Sequence, residues 1–459
     1  MASIVSIAFG LAALVHTAPS HAQDDEETVP APPDTGVPGP LVAYATPPAL
    51  ARETKACSMR LPLCVHAAGT TPGRAVLDVL AAGERAWDTL AGALRLHPPD
   101  GDLEDLAYHV YLVEGAGEPG ATLATARDVR STIDRARSLT VLDAKLALRA
   151  GCALDALVAR EMARAFMMRA APATAEGVAR GQATYLAQVI VPCAVALVVE
   201  GAQAFQSAPG RAICDAGDPS TSTATMHDSF LDGSALWWQR IDWAYGRGPG
   251  AIITASWALA PTHTAVPAQR WHDEPDAFDV LRVSFKGALS TGSTLDDLLL
   301  DTAIARAFMG SADDGLHAPE TRTLGDAARI TSDWDLPWPK QPKRLAPRAP
   351  VHPGGASYLV VHRAGAPATK RLRVEIVWEE HALFRWAFVK VDASGREIGR
   401  VVIPTRERAT ETQMTLVDLG TADRILLVGV NAGDPAYRFD PDDEVWEPHS
   451  WLVTIAEEN

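Results

Sequence analysis

The sequence concentrates its chemistry in two neighbouring stretches, LDALVAREMARAFMM and TAEGVARGQATYLA. Arg160, Glu161 and Arg164 fall in the first and Arg180 in the second. Residues four apart on a helix lie one turn apart on one face, so Arg160 and Arg164 would project together. A guanidinium stays protonated and offers no lone pair. It cannot ligate a metal ion, and three of them would repel a divalent cation at close range. What they can do is hold carboxylates or phosphates with paired N–H donors. Two sources of anion are open: a ligand held in a cleft, or the chain's own Asp155, Glu161 and Glu176. Glu161 falls between Leu157 and Ala165 on the helical wheel, with Leu154 and Met168 close by. An ionised carboxylate on such a face needs a partner. Arg164 is the expected one, and Glu176 is spaced to pair with Arg180 one turn on. Internal pairing is the expected arrangement, because structural ion pairs are commoner than binding sites.

Other constellations are weaker. The five cysteines are Cys57, Cys64, Cys152, Cys193 and Cys214. Cys57 and Cys64 flank a short strand-like run and could close a small loop; Cys193 and Cys214 could staple the segment after a helix, leaving Cys152 over. No CxxC or Cys/His spacing of a structural zinc site occurs, nor a GxSxG nucleophile turn. His109 is expected to point out of, or pack on, an edge strand rather than to serve chemistry. The acidic loop with Asp440, Asp442, Asp443 and Glu444 could hold calcium but reads more simply as a solvated turn. Trp237, Trp238 and Trp243, at helical spacing, read as core rather than as a sugar or peptide cleft.

The elements that would position these residues can be traced along the chain. A strand is expected over 60–66, a helix over 72–94, and strands over 107–115 and 138–143. Two Ala-rich helices, about 150–170 and 174–191, would carry the arginines. Further helices follow in GSALWWQRIDWAYG, GAIITASWALA and the apolar stretch after STLDD. The Pro-rich segment 336–353 reads as an interdomain linker. From 354 to 459, seven short runs separated by turns argue for a β-sandwich of immunoglobulin-like architecture.

Taken together, the motif helices resemble the core of gluzincin-type metallopeptidases. That family carries HExxH on one helix and a glutamate ligand on the next, in a pattern like EGxAxYxA. Here Arg160-Glu161-Met162-Ala163-Arg164 stands over the first motif, and Arg180-Gly181-Gln182-Ala183-Thr184-Tyr185-Leu186-Ala187 over the second. The element order and C-terminal sandwich look like a family of exported bacterial metallopeptidases. The resemblance implies an α+β fold, with a zincin-like domain over 56–335 followed by the sandwich over 354–459. It also implies a peptide-shaped cleft. Glu161 occupies the general-base position, while Arg160, Arg164 and Arg180 occupy the zinc-ligand positions. No zinc and no other cofactor is therefore expected. The expected state is a non-catalytic pseudopeptidase with a binding or structural role and a peptide or protein partner. A hydrolase with a relocated metal or other catalytic residues, and a purely architectural envelope protein, are the alternatives.

Composition sets the outer bounds. The chain has 459 residues, 41 Lys+Arg against 57 Asp+Glu and a net charge of −16. That balance argues against nucleic acid as a partner. No apolar run approaches the roughly 20 residues of a membrane-spanning helix. Residues 1–22 read as a secretory signal, with Ser20-His21-Ala22 before the cut, and 23–55 as an acidic, Pro-rich linker. An exported location, periplasmic or extracellular, is expected.

Overall fold

The computed structural model describes residues 43–103, 105–128, 131, 134–214, 229–259, 271, 276–286, 295–364, 366, 370–405, 409–434 and 447–458. The signal segment 1–22, most of the 23–55 linker and the acidic loop at 440–444 lie outside them.

The first half is built on a five-stranded mixed sheet. Its strands are β1 (Thr54–Cys57), β2 (Leu63–Ala67), β3 (Tyr108–Val113), β4 (Gly120–Arg127) and β5 (Ala136–Asp143), in the order β1-β2-β3-β5-β4. The inner pairs β2/β3 and β3/β5 are parallel, and both edge strands run antiparallel. Parallel neighbours need a crossover, and α1 (Gly73–Trp87), extended by a π-helical turn Asp88–Ala93, supplies the one between β2 and β3. Val76, Val79, Leu80 and Trp87 form its buried stripe, while Leu77 faces solvent. Strand β4 was not anticipated. GATLATAR is rich in Ala and Gly, and its place at the edge comes from pairing with β5 rather than from its own β-propensity.

After the short α2 (Ala144–Ala147) come α3 (Cys152–Ala170) and α4 (Glu176–Ile190), which are the two arginine-bearing helices. They pack through small side chains: Ala159, Ala163, Ala179 and Ala183 are all essentially inaccessible. A 3-10 segment, Pro192–Val198, leads into α5 (Val199–Ser207), α6 (Ser229–Gly233), α7 (Ala235–Tyr245), α8 (Ala251–Leu259), α9 (Ala277–Lys286) and α10 (Leu295–Arg306). Trp237 and Trp238 are core residues, whereas Trp243 is 47% exposed.

Seven strands appear where the C-terminal runs indicated: β8 (Ala356–His362), β9 (Arg371–Trp378), β10 (Phe384–Val391), β11 (Glu397–Ile403), β12 (Glu411–Leu416), β13 (Arg424–Asn431) and β14 (Trp451–Glu458). The stretch 336–353, expected as a linker, does not act as one. It overlaps β6 (Trp334–Pro337) and contains β7 (Lys343–Leu345), which close the edges of the two sheets, β11-β10-β13-β8-β6 and β12-β9-β14-β7. Proline is tolerated there because an edge strand leaves one row of N–H groups unpaired anyway.

The sandwich is not a separate appendage. The central strands β10 and β13 of the five-stranded sandwich sheet are apolar on both faces. Trp386, Phe388, Ile425 and Leu427 meet the second sheet, whereas Ala387, Val389, Leu426 and Val428 join the core of the helical half. A polar seam accompanies this contact. Asp301 of α10 accepts from Arg240 at 2.9 Å, Tyr245 at 2.9 Å and Arg400 of β11 at 2.8 Å. Arg400 makes a two-pronged pair with Glu397, and Glu397 also lies 2.7 Å from Nε2 of His317, whose Nδ1 faces Asp314 at 2.9 Å. Burial pushes the Glu397 carboxyl up, but the bonds from His317 and Arg400 outweigh it and hold it at about 2.

Two disulfides join described cysteines: Cys57–Cys64, as the spacing suggested, and Cys152–Cys193. The expected Cys193–Cys214 pair is corrected. Cys193 opens the segment after α4 and is carried back over the start of α3, so its partner is the cysteine at the head of that helix.

Non-reducing peptide mapping should recover Cys57–Cys64 and Cys152–Cys193, and removing the second bridge should cost about 2–4 kcal/mol. Recovery of a Cys193–Cys214 peptide would contradict this packing. The depressed Glu397 pKa carries a sign. Its ordinary value is 4.5, so its contribution is present above that pH and is lost as pH falls towards 2. Urea unfolding across this window should show a loss of stability that Glu397→Gln reduces; an unchanged slope in the variant would contradict the seam.

Candidate functional site

The site is a charge cluster where α3 and α4 meet α6, beneath the edge strand β4. Glu161 lies inside it, with 1% of its side chain exposed. Its partner is Arg160, its chain neighbour, whose Nε donates to Oε1 at 2.9 Å. The expected partner, Arg164, is instead joined to Glu176 by two bonds, at 2.7 and 2.6 Å. Glu176 therefore does not pair with Arg180. Arg180 Nε donates at 2.8 Å to Asp232 of α6, towards which Arg160 also reaches at 3.8 Å. Asp155 is outside the cluster and pairs with Arg85 of α1 at 2.7 Å.

Simple geometry explains these departures. Arg160 can curl its chain back over the carboxylate that follows it. Arg164, one turn further along α3, faces the first turn of α4, where Glu176 stands. Asp155 lies nearer the start of α3 and points to the helix packed beside it. Asp232 escaped sequence reasoning because it follows a Gly/Ser/Thr-rich stretch with no periodic signal. It is held in place by a close helix approach: a Cβ on Gly233 would meet Gly201 O of α5 at 2.0 Å. No larger residue fits there, so Gly233 fixes how deeply its neighbour Asp232 enters.

The second carboxylate oxygen of Glu161 is satisfied from the sheet. Thr122 of β4 donates to Oε2 at 3.0 Å, Thr140 of β5 lies 3.0 Å from Thr122, and Tyr108 of β3 lies 2.8 Å from Thr140. With the carboxylate as final acceptor, the hydroxyls run in one direction, Tyr108 to Thr140 to Thr122 to Glu161. Burial raises the Tyr108 pKa, which keeps that phenol a donor. The close approach of β4 again needs a glycine, since a Cβ on Gly120 would come within 2.9 Å of Glu161 Cγ. Burial alone would lower the Arg164 pKa. The bond and charge of Glu176, with the charges of Glu161 and Asp232, outweigh it and raise the value.

Three guanidiniums thus face three carboxylates, and each guanidinium has a carboxylate partner. This donor set does not fit zinc: the positions that the family resemblance assigns to ligands hold groups without lone pairs. Nor does it leave an unpaired cation for an external anion. Tyr185, in the second motif, is engaged elsewhere. Its hydroxyl donates at 2.6 Å to Asp242, which also accepts the Ile252 N–H at 2.7 Å in the first turn of α8.

No family profile and no curated protein matches the chain. Among solved structures, it is similar to the pre-peptidase C-terminal domain of a collagenase from Bacillus anthracis at 5% identity, over 28% of this chain and 98% of that one, with a TM-score of 0.18. It is similar to the VP2 subviral particle of infectious bursal disease virus at 10% identity, over 26% of this chain and 33% of that one, with a TM-score of 0.16.

Two substitutions separate the buried from the exposed part of the cluster. Glu161→Gln leaves Arg160 without its near counter-charge and should cost roughly 3–5 kcal/mol in urea unfolding. Glu176→Gln also takes the counter-charge from the mostly buried Arg164, but the Glu176 side chain is 50% exposed and water can reach the gap, so its cost should be smaller, about 1–3 kcal/mol. Equal losses would contradict the burial described.

Proposed function

We propose that this chain is an exported, metallopeptidase-like protein that does not catalyse peptide hydrolysis and serves a binding or structural role at the cell envelope. The observation that carries the reading is the mutual neutralisation of Arg160, Arg164 and Arg180 by Glu161, Glu176 and Asp232. A general base must reach a water; Glu161 is buried and its oxygens are taken by Arg160 and Thr122. A zinc-polarised water would need imidazole and carboxylate ligands at the positions the arginines hold.

Supporting the family part of the reading are a mixed sheet with an antiparallel edge strand, a motif helix packed under that edge and a second helix beside it. Two disulfides agree with an oxidising compartment. No helix among the described residues is long and apolar enough to cross a membrane. The sandwich, read as an immunoglobulin-like module, would assist attachment, and its docking on the helical half argues that both halves act as one body. Because the arginines are already paired, a ligand would engage the surrounding surface rather than displace the cluster.

The test is an assay of the purified full chain against casein and a mixed peptide library, with and without added zinc. No hydrolysis above background, and no difference between the unaltered protein and Glu161→Gln, is expected. Zinc-dependent hydrolysis abolished by Glu161→Gln would overturn the reading.

A further inference from the structure

A second group of polar side chains lies at the opposite side of the first sheet. His66 of β2 and His109 of β3 project from the face that does not carry the helices, with Nε2 of His66 2.8 Å from Nδ1 of His109. The other nitrogen of each ring meets a carboxylate. Glu53 bonds Nδ1 of His66, and Asp105 lies 3.1 Å from Nε2 of His109. Lys55 pairs with Asp105 at 2.7 Å, and Tyr111 stacks on His66 with ring centroids 4.7 Å apart.

The partners fix the protons. An ionised carboxylate accepts, so the outer nitrogen of each histidine carries its proton: Nδ1 of His66 for Glu53 and Nε2 of His109 for Asp105. Lys55 pairs with the other oxygen of Asp105 at 2.7 Å, an ion pair that favours the carboxylate as acceptor. The two inner nitrogens then face each other. If both rings are neutral, two lone pairs oppose at hydrogen-bond distance, an arrangement that repels. Something cationic must occupy the line between them. A proton does so by making one ring an imidazolium, at a cost that rises with burial.

We infer that His66 and His109 form a binding site for a zinc-class divalent transition ion, which takes the place of the shared proton between Nε2 of His66 and Nδ1 of His109. Both rings already have the supporting arrangement that metal-binding histidines use, an outer N–H donated to a carboxylate that sets the tautomer and the ring plane. Imidazole nitrogen suits ions of this class better than calcium or magnesium. Two zinc–nitrogen bonds at a tetrahedral angle put the nitrogens about 3.3 Å apart with the ion off the line that joins them, so the rings must open by about half an ångström and each turn by roughly 35° to aim its lone pair at the ion. Water would complete the coordination. The way in is short: the His66 side chain is 6% exposed, but Glu53 beside it is 46% exposed and Asp105 is 38% exposed. Cys64 also approaches, for its sulfur, an Asp105 oxygen and a His109 nitrogen lie within 4.8 Å of one another. Its sulfur is committed to Cys57, so it adds no thiolate to the set. This site is independent of the arginine cluster and requires no hydrolytic activity.

The test is calorimetric titration of the full, disulfide-intact chain with Zn2+ in chelator-free buffer. One ion per chain should bind, with affinity at least tenfold weaker in His66→Gln and in His109→Gln. Glu53→Gln should weaken it by about tenfold, as loss of an orienting carboxylate does. Absence of binding to the unaltered chain, or binding unchanged in both histidine variants, overturns the inference. Because those variants could disturb the sheet, the unaltered chain loaded with one Cu2+ gives a second reading. Its electron paramagnetic resonance spectrum should show coupling to two imidazole nitrogens, and coupling to one or none would overturn the site. Zinc that survives both histidine variants but is lost on Glu161→Gln would instead sink the pseudopeptidase reading along with this one.

Discussion

Glu161 cannot remain an anion inside the protein without a fixed counter-charge, and the surrounding architecture follows from that need. An isolated buried carboxylate would be driven to take up a proton. Here Arg160 supplies the charge from the same helix, and a hydroxyl chain from three strands supplies the second donor. The pairing then spreads, because Arg160, Arg164 and Arg180 are all mostly buried and none can stand alone. Glu176 and Asp232 complete the set. Such clusters contribute little against a well-packed apolar alternative, yet removing one member is costly. They hold a particular arrangement more than they raise stability.

The same logic recurs at the seam between the two halves, where Asp301, Arg400, Glu397, His317 and Asp314 form another connected group. Apolar packing supplies the contact area there, and the ion pairs fix its register. Both polar groups sit where separate elements converge: α3, α4 and α6 with the sheet in one case, α7, α10 and β11 in the other.

How much of this the residue order disclosed depends on how local each determinant is. The alternation in Arg371–Ile376 marks a strand with one wet face, and β9 has that pattern of burial. The unbroken apolar run of β13 is what a strand covered on both sides requires, and it is at odds with the expectation of a sandwich set apart by a linker. Helices α3 and α4 were legible from spacing. Partners were not. Arg164 finds Glu176 and Arg180 finds Asp232 because of how helices cross, and Asp232 belongs to a helix of five residues with no period to detect. Strands β6 and β7 were hidden for a related reason: prolines that forbid a central strand permit an edge. The pairing of Cys152 with Cys193 depends on the turn after α4, and the His66–His109 contact depends on strand register, neither of which spacing reveals.

The central claim is that charge inside the cluster is compensated from within. A double-mutant cycle on Arg160 and Glu161, using Arg160→Met, Glu161→Gln and the combination in urea unfolding, measures that compensation directly. A coupling of about 3–5 kcal/mol is predicted, with the double variant close in stability to the less damaged single one. A coupling below about 0.5 kcal/mol would mean that the two charges are satisfied independently, and the account of a self-neutralised site would be wrong.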